Sequence, residues 1–462
     1  MTLIKSISGI RGTIGGSPGD SLSPIDIVKF SSAFAHWAAK NSGKKKIVIG
    51  RDARPSGQMV ASLVKGTITA IGLDIVDLGL STTPTVEMAV VAENAAGGII
   101  ITASHNPVEW NALKLLNHLG EFVSAENGKE ILQLAESSLS FASVHELGQI
   151  YTKDDYLTKH IEAILKLPEV DTEAIGRADL NIAIDAVNSS GGIAIPQLLE
   201  ALGVKRITKL HCEPTGLFPH NPEPLPEHLT DISNVLKSGN HDMGIVVDPD
   251  VDRLAFVCED GSMYGEEYTL VTVADYILSL TTGNTVSNLS STRALRDVTE
   301  AHGGSYFASA VGEVNVVEKM KANKAVIGGE GNGGIIYPAL HYGRDALVGV
   351  ALFLSHFVKK DMKLSKLRAS YPAYYMAKKK IQLTENINVD ALIDSMAEMY
   401  ARHELNRIDG LKIEFETSWV HLRKSNTEPI IRIYSEAQST DVAIELADQI
   451  IVQLEELANS NG

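Results

Sequence analysis

Short β-rich runs that end in polar or glycine-rich loops alternate along this chain with longer segments of helical periodicity. Five runs show the pattern: KKKIVIGRDARPSG, GGIIITASHNP, LNIAIDAVNSSGG, DMGIVVDPDVDRLAFV and NKAVIGGEGNGGIIYP. Alternation of strands with helices is typical of α/β layers built on mostly parallel sheets. The repeated strand and polar loop therefore predict several related α/β units rather than one large sheet.

The length of the chain also indicates several domains. At 462 residues the chain is longer than a domain with a single hydrophobic core normally is. Length alone predicts about three domains, with four also allowed. Changes of pattern place the joints near 147–155, 259–266 and 370–374. The predicted domains are 1–150, 151–260, 261–370 and 371–462.

The last of these segments differs from the others. Its run TSWVHLRKSNTEPIIRIYSEA predicts a hairpin. A stripe of apolar residues at helical spacing follows and predicts an amphipathic helix packed on a sheet; it consists of Val442, Leu446, Ile450, Leu454 and Leu457. We therefore predict an α/β fold that ends in a small C-terminal α+β domain.

Composition restricts the partners of the protein. A net charge of −16 argues against nucleic acid, whose phosphates would be repelled. There is no run of about eighteen apolar residues and no secretory signal, so we expect a cytoplasmic protein without a membrane partner. The two cysteines, Cys212 and Cys258, form no metal-type pair and are expected to be reduced thiols. The sequence does not distinguish a monomer from a dimer.

The loop TASHNP begins directly after the apolar run Ile99–Ile101. It places the Ser104 hydroxyl at a predicted strand end, where ligands bind in open α/β sheets. A serine that accepts and donates a phosphoryl group needs exposure, nearby cations and a metal more than an adjacent base. Arg11, from the run SGIRGTIG, and Lys114 are candidate cations. On these residues alone, a phosphoryl acceptor and a simple polar turn both remain open.

The loop DPDVDR carries carboxylates at alternate positions, Asp248, Asp250 and Asp252. Its start resembles an EF-hand, but Arg253 stands where that loop requires glycine, and a strand follows. Three aligned carboxylates repel one another unless a cation is present. We therefore predict an Mg²⁺ site with one position open to a phosphate oxygen, with a solvated acidic turn as the alternative.

Two further loops carry groups suited to a sugar phosphate. In GGEGNGG the glycines allow close approach of the backbone, and Glu330 and Asn332 are suited to sugar hydroxyls. The loop RKSNTEP, with the arginine that follows it, predicts an anion site because guanidinium groups, hydroxyls and backbone N–H groups bind phosphate. Its members are Arg423, Ser425, Asn426, Thr427 and Arg432.

The motifs TASHNP, DPDVDR, GEGNGG and RKSNTEP, in that order, resemble those of the α-D-phosphohexomutase superfamily, over essentially the whole chain. This resemblance implies four domains around a central cleft, three of them related α/β domains with mixed sheets. It implies that Ser104 is phosphorylated and that its phosphate joins the three aspartates around one Mg²⁺. It further implies that Arg11, Lys114 and Arg253 assist phosphoryl transfer, while the other two loops hold the sugar and the distal phosphate.

The implied reaction interconverts a hexose or hexosamine 1-phosphate and 6-phosphate through a 1,6-bisphosphate, which also serves as activator. The family histidine of the sugar loop is replaced by Gly334, so the sequence does not identify the general acid and base. The candidates are Lys114, His105 and the run HYGRDA (His341, Arg344 and Asp345). The GEGNGG form resembles a branch of the family whose members are named phosphoglucosamine mutase or phosphomannomutase/phosphoglucomutase. Because such enzymes frequently serve a cell-wall precursor route, we expect a phosphoglucosamine mutase, with a broad phosphomannomutase/phosphoglucomutase as the alternative. The remoter alternatives are a metal-dependent phosphatase and a non-catalytic phosphosugar-binding protein.

Overall fold

A computed structural model describes residues 2–6, 9–382, 388–424 and 430–460. Its first domain is built on a seven-stranded mixed sheet. The strands are β1 (Ile4–Ser6), β2 (Gly9–Thr13), β3 (Lys46–Arg51), β4 (Asp74–Leu80), β5 (Gly97–Ile101), β6 (Trp110–Leu116) and β7 (Ile150–Thr152). Their order is β1-β2-β6-β5-β3-β4-β7, and β3, β4, β5 and β7 run parallel. The helices are α1 (Pro24–Ser42), α2 (Gly57–Ala70), α3 (Thr83–Ala92) and α4 (Ala125–Ala135), with a 3-10 turn at Val144–Glu146.

The second domain contains a four-stranded sheet. Its strands are β8 (Asn181–Asp185), β9 (Arg206–Leu210), β10 (Met243–Val247) and β11 (Leu254–Cys258), in the order β11-β10-β8-β9. Only β11 is antiparallel to its neighbour. The helices are α5 (Tyr156–Leu165), α6 (Thr172–Arg177), α7 (Gly191–Ala201) and α8 (Thr230–Ser238), with a 3-10 turn at Pro226–His228.

The third domain repeats this plan. Its strands are β12 (Asn284–Asn288), β13 (Tyr306–Ser309), β14 (Ala325–Glu330) and β15 (Gly334–Ile336), in the order β13-β12-β14-β15, with β15 antiparallel to β14. The helices are α9 (Glu266–Leu280), α10 (Ala294–Ala301), α11 (Glu313–Asn323), α12 (Ala346–Lys360) and α13 (Leu364–Ala369). One hydrophobic core is shared with the second domain, where Phe256 stacks on Phe353 with ring centroids 3.7 Å apart.

The fourth domain has a fully antiparallel sheet covered by two helices. Its strands are β16 (Tyr375–Gln382), β17 (Glu404–Asn406), β18 (Leu411–Glu414), β19 (Trp419–Lys424) and β20 (Ile430–Ala437), in the order β16-β20-β19-β18-β17. The helices are α14 (Val389–Met399) and α15 (Thr440–Ser460). The predicted hairpin is present as the pair β19–β20. The residues that join these strands, 425–429, lie outside the described part of the chain.

The predicted fold class, three α/β domains with mixed sheets followed by an α+β domain, is confirmed. The predicted domain boundaries stay a prediction; the strands of the four sheets occupy 4–152, 181–258, 284–336 and 375–437. The predicted helical stripe is wrong at Val442, which is 50% exposed, whereas Ala443 and Ala447 are fully buried. Small alanine side chains let the first turns of α15 approach the sheet closely, which apolar periodicity alone does not reveal. No helix in the described ranges is long and apolar enough to cross a bilayer.

Candidate active site

The serine loop leaves the end of β5, a strand whose five residues are all buried. Ser104 has a left-handed φ of 47°, which is uncommon for a residue other than glycine. Its N–H donates to Thr102 Oγ1 (2.9 Å), and Thr102 Oγ1 donates to Asp52 Oδ2 (2.7 Å). The Ser104 hydroxyl donates to Asp248 Oδ2 across 2.7 Å. The loop of the first domain thus presents this hydroxyl to the acidic loop of the second.

Arg54 holds the backbone of the serine loop in place. Its Nη2 donates to the carbonyl oxygens of Ser104 (2.5 Å) and Asn106 (2.6 Å), and its Nη1 to those of Pro107 (2.6 Å) and Trp110 (2.9 Å). Its Nε pairs with Asp52 Oδ2 at 3.0 Å, and Arg54 is 1% exposed. We did not predict this role from the sequence. The sequence signal that could have found it is the position of Arg54 in the polar loop of the run KKKIVIGRDARPSG, which follows another predicted strand.

The three aspartates of the acidic loop converge as predicted. Asp248, Asp250 and Asp252 are fully buried, and one oxygen from each lies within 4.8 Å of the others. Val251, between two of them, has a φ of 64°, a strained value for a β-branched residue. Asp250 Oδ1 and Asp252 Oδ1 are buried without a hydrogen-bond partner. Unpaired buried carboxylate oxygens are costly, so this donor set fits a hard divalent cation.

Two cations from other domains approach the aspartates. Lys114 Nζ donates to Asp250 Oδ2 (2.6 Å) and Asp252 Oδ2 (3.1 Å), and Arg344 Nη2 donates to Asp252 Oδ2 (2.8 Å). Burial lowers the pKa of Lys114, but the two carboxylates outweigh it and raise that pKa above the ordinary value. Burial and repulsion from Asp252 and Asp250 raise the pKa of Asp248. Lys114 therefore stays cationic beside the predicted metal position.

Arg253, predicted to assist transfer, lies at the end of the same acidic loop. Its Nη1 pairs with Glu223 Oε1 at 3.1 Å, and its Nε is buried without a partner. His105 Nδ1 lies 3.4 Å from the Ser104 hydroxyl. Burial and the charge of Arg253 lower the pKa of His105 to about 2, so its imidazole is neutral.

The residues predicted to bind sugar are partly occupied by protein partners. Glu330 Oε1 accepts from Asn288 Nδ2 (2.8 Å) and the N–H of Gly312 (3.0 Å), and Oε2 accepts from Arg344 Nη1 (3.1 Å). Asn332 Oδ1 accepts the N–H of Gly334 at 3.2 Å. Arg344 also donates from Nε to Glu313 (2.8 Å), so it joins the glycine-rich loop to the acidic loop.

The other acid and base candidates lie in a buried network. Asp345 Oδ2 lies 2.9 Å from His160 Nε2 and 3.2 Å from His341 Nε2, while its Oδ1 caps α12. His341 Nδ1 lies 3.4 Å from Glu87 Oε2. Asp345 has no oxygen without a protein partner, which makes it a poor candidate for proton transfer to a ligand.

The predicted distal phosphate site is a row of cations on one face of the fourth domain's sheet. Arg432 lies directly opposite Arg423 on β19 and Lys380 on β16. Arg423 pairs with Asp409 at 2.8 Å, and Arg432 and Lys380 are exposed. Burial and then the charge of Arg432 lower the pKa of Arg11, a cation of the first domain. Like charges directly opposite in a sheet are unfavourable, and an anion would relieve the repulsion.

Lys380 was not among the predicted residues, because it lies far along the chain and joins the row only through strand pairing. Three predicted members of the anion site lie outside the described residues, namely Ser425, Asn426 and Thr427.

Comparisons with known protein families cover all four domains. Models described as phosphoglucomutase/phosphomannomutase alpha/beta/alpha domains I, II and III match residues 3–140, 158–261 and 265–375. The model of the phosphoglucomutase/phosphomannomutase C-terminal domain matches residues 379–453.

Curated relatives match along almost their whole length. The chain is 34% identical over 454 residues to a phosphoglucomutase/phosphomannomutase of Thermococcus kodakarensis, covering 96% of this chain and 98% of the relative. It is 31% identical to a probable phosphoglucosamine mutase of Methanopyrus kandleri, covering 96% of each. A crystal structure of a phosphoglucomutase/phosphomannomutase family protein from Burkholderia thailandensis shares the fold, with a TM-score of 0.85, 24% identity and 98% of each chain covered.

Proposed function

This chain belongs to the phosphoglucomutase/phosphomannomutase family of phosphohexomutases, which are isomerases, and from that premise we propose that Ser104 carries the phosphoryl group that is exchanged with a hexose phosphate. The observation that carries this proposal is the 2.7 Å hydrogen bond from the Ser104 hydroxyl to Asp248 Oδ2. It unites the candidate acceptor with the acidic triad although the two residues are 144 positions apart in the chain.

In the proposed reaction a sugar hydroxyl attacks the phosphorus of phosphorylated Ser104. The bond from phosphorus to Ser104 Oγ breaks as the new bond to the sugar oxygen forms; the sugar hydroxyl gives up its proton, Ser104 Oγ takes one up, and a 1,6-bisphosphate results. The bisphosphate turns end for end, and its other phosphoryl group returns to Ser104 Oγ. Lys114 stabilises the charge on the transferred group, and Arg54 keeps the serine loop in line with it. A free hexose 1,6-bisphosphate serves as activator, because it phosphorylates an unmodified Ser104.

We propose that one Mg²⁺ per chain is held by Asp248, Asp250 and Asp252, with the phosphate on Ser104 as a further ligand. The two unpaired aspartate oxygens support this assignment. Mg²⁺ at this position supplies electrostatic stabilisation to the transferred phosphoryl group. A metal-dependent phosphatase would instead need an activated water, and the predicted distal phosphate site has no use in simple hydrolysis.

The preferred substrate is proposed to be glucosamine phosphate, so that the protein acts as a phosphoglucosamine mutase; its relative from Methanopyrus kandleri carries that name. The second candidate is a broad phosphomannomutase/phosphoglucomutase, after the relative from Thermococcus kodakarensis. The test compares kcat/KM for glucosamine, mannose and glucose 1-phosphates. A preference of about 100-fold, or about 2.7 kcal/mol, supports the amino sugar. Comparable values favour the broad enzyme.

Replacement of the serine tests the mechanism itself. Ser104→Ala should lower kcat on the order of 10³-fold or more while sugar phosphate binding persists. Ser137→Ala, at an exposed serine, is the control. Mass spectrometry should find the phosphoryl group on the peptide that contains Ser104 after incubation with a 1,6-bisphosphate. Turnover by Ser104→Ala at the parental rate would exclude the phosphoserine route, and rapid release of inorganic phosphate would favour the phosphatase.

A further inference from the structure

A second cluster of metal-ligating side chains lies in the second domain, apart from the aspartate triad. Asp185 ends β8, His211 follows β9, and His220 lies in the loop beyond. Asp185 Oδ2 is 3.0 Å from His211 Nδ1 and 3.0 Å from His220 Nε2. The three ligand atoms lie within 4.8 Å of one another. The proposed phosphoryl transfer uses none of these residues.

The outer nitrogens of both imidazoles face acceptors. His220 Nδ1 lies 2.8 Å from the carbonyl oxygen of Asn221, and His211 Nε2 lies 3.5 Å from Asp231 Oδ2. The inner nitrogen of His220 faces Asp185 Oδ2, which also only accepts, so a cation bound at Nε2 would leave the proton of His220 on Nδ1, where the Asn221 carbonyl oxygen accepts it. In the same way, a cation bound at Nδ1 of His211 would leave the proton of that imidazole on Nε2, which faces the carboxylate of Asp231. This outward arrangement of N–H groups toward carboxylates or carbonyls is characteristic of histidines that bind metals.

With the protons on the outer nitrogens, two imidazole lone pairs and a carboxylate oxygen face one point. Such a set is stable only with added protons or with a cation between the three atoms. We propose that Asp185, His211 and His220 bind a divalent transition metal ion of the Zn²⁺ type. Two nitrogens and one carboxylate oxygen suit Zn²⁺ rather than Mg²⁺.

The surroundings leave room for a fourth ligand. The Asp185 side chain is buried, with its Oδ1 held by the N–H of Val187 (3.0 Å), while the side chains of His211 and His220 are 21% and 15% exposed. Solvent can therefore complete a tetrahedral set. Ligand atoms of a tetrahedral Zn²⁺ site lie roughly 3.3 Å apart, so the observed 3.0 Å distances need only a small expansion.

The bound ion would hold in place the segment after His211, which packs on the Arg54 loop and through it supports the serine loop. After His211 the chain packs on the Arg54 loop at Gly216, where an added Cβ would lie 2.0 Å from the carbonyl oxygen of Ala53. The ring of Phe218 then lies under the Arg54 guanidinium, whose Cζ is 5.0 Å from the ring centroid. The ion thus ties the end of β8 to the segment that covers Arg54.

The test titrates Zn²⁺ by calorimetry into metal-stripped full-length protein that has been saturated with Mg²⁺. We expect one Zn²⁺ per chain and a rise in melting temperature. Loss of an outer hydrogen-bond partner typically weakens a site about 10- to 100-fold, so loss of a ligand in His211→Gln or His220→Gln should weaken it at least about 100-fold. His145→Gln, at an exposed histidine, is the control.

Asp231→Asn provides a variant that keeps all three ligands. Asp231 is 62% exposed, so this variant should fold normally and bind Zn²⁺ about 10-fold more weakly. Absence of Zn²⁺ binding in the presence of Mg²⁺, or binding unchanged in His220→Gln, would overturn the proposal. So would loss of the ion in His341→Gln instead, because that result would place it on the His160, His341 and Asp345 cluster.

Discussion

Arg54 donates from Nη2 to the carbonyl oxygen of Ser104 at 2.5 Å, and it donates to three further carbonyl oxygens between Ser104 and the start of β6. The candidate nucleophile therefore rests on a fully buried guanidinium group fifty positions earlier in the chain. This relationship explains how a non-glycine residue keeps a left-handed conformation there, because the hydrogen bonds over-determine the backbone.

Arg54→Lys should reduce both activity and stability. Lysine keeps the charge but cannot serve four carbonyl oxygens and Asp52 from a planar fork. Disrupting this buried pair should cost about 3 kcal/mol in the free energy of unfolding. Displacement of the serine loop should lower kcat about 100-fold. Urea unfolding and steady-state kinetics provide the two measurements.

Arg51→Lys is the matched control, because Arg51 is only half-buried and donates to a single carbonyl oxygen, that of Asp52. Equal losses in the two variants would show that the serine loop does not depend on Arg54.

Asp248→Asn should weaken Mg²⁺ binding without destabilising the metal-free protein. Repulsion among the three aspartates falls when one becomes neutral, so the metal-free variant should unfold at the same or a higher urea concentration than the parent. Mg²⁺ at 100 times its dissociation constant should stabilise the parent by about 2.7 kcal/mol but should barely affect the variant. Urea unfolding with and without Mg²⁺ measures the difference, and Asp260→Asn, at an exposed position in a turn beyond β11, is the control. An unchanged response to Mg²⁺ would contradict the assignment of the site.

Arg432→Met should weaken substrate binding and relieve charge repulsion. Arg432 lies between Arg423 and Lys380, so its removal should leave the ligand-free fold as stable as before or slightly more stable. Loss of a charged hydrogen bond to phosphate should raise KM about 10- to 100-fold. Kinetics with a hexose 1-phosphate measure this change. Arg407→Gln, at an exposed arginine paired with Asp394, should leave KM unchanged. A parental KM in Arg432→Met would exclude this face as the phosphate site.

Glu93→Gln should destabilise the protein in a pH-dependent manner. Burial raises the pKa of Glu93, but hydrogen bonds from Lys153, Lys46 and Tyr156 outweigh it and lower that pKa to about 2. A lowered carboxyl pKa stabilises the folded state above the ordinary pKa near 4.5, and this stabilisation is lost as the pH falls toward about 2. We expect the free energy of unfolding of the variant to be about 1 kcal/mol below that of the parent at pH 7 and equal to it near pH 2.

Urea unfolding of both proteins across this pH range tests the prediction. Glu136→Gln removes an exposed carboxylate that pairs with Lys29, and it should have little effect at any pH because solvent screens the pair. A difference between Glu93→Gln and the parent that persists at low pH would point to lost packing instead of lost charge.

Local sequence patterns were sufficient for the strands that carry the polar loops and for the acidic triad. Three aspartates within five residues must lie close together, and an apolar run that ends in TASHNP marks a strand end wherever the strand lies. The same reasoning was wrong for Val442, since apolar periodicity does not show how closely a helix approaches its sheet. It also could not show that Glu330 already has protein donors on both oxygens.

The sequence by itself determined the order of strands and helices, the α/β character of the chain and the polar loops that carry the chemistry, because each depends on neighbouring residues. Tertiary structure alone decided which distant groups meet. Arg54 under Ser104, Lys114 on Asp250 and the pairing of Asp185 with His220 all depend on how strands are ordered within a sheet and how domains are packed. Side-chain charge and shape act over a few ångströms, so residues far apart in the chain interact only after the backbone has brought them together.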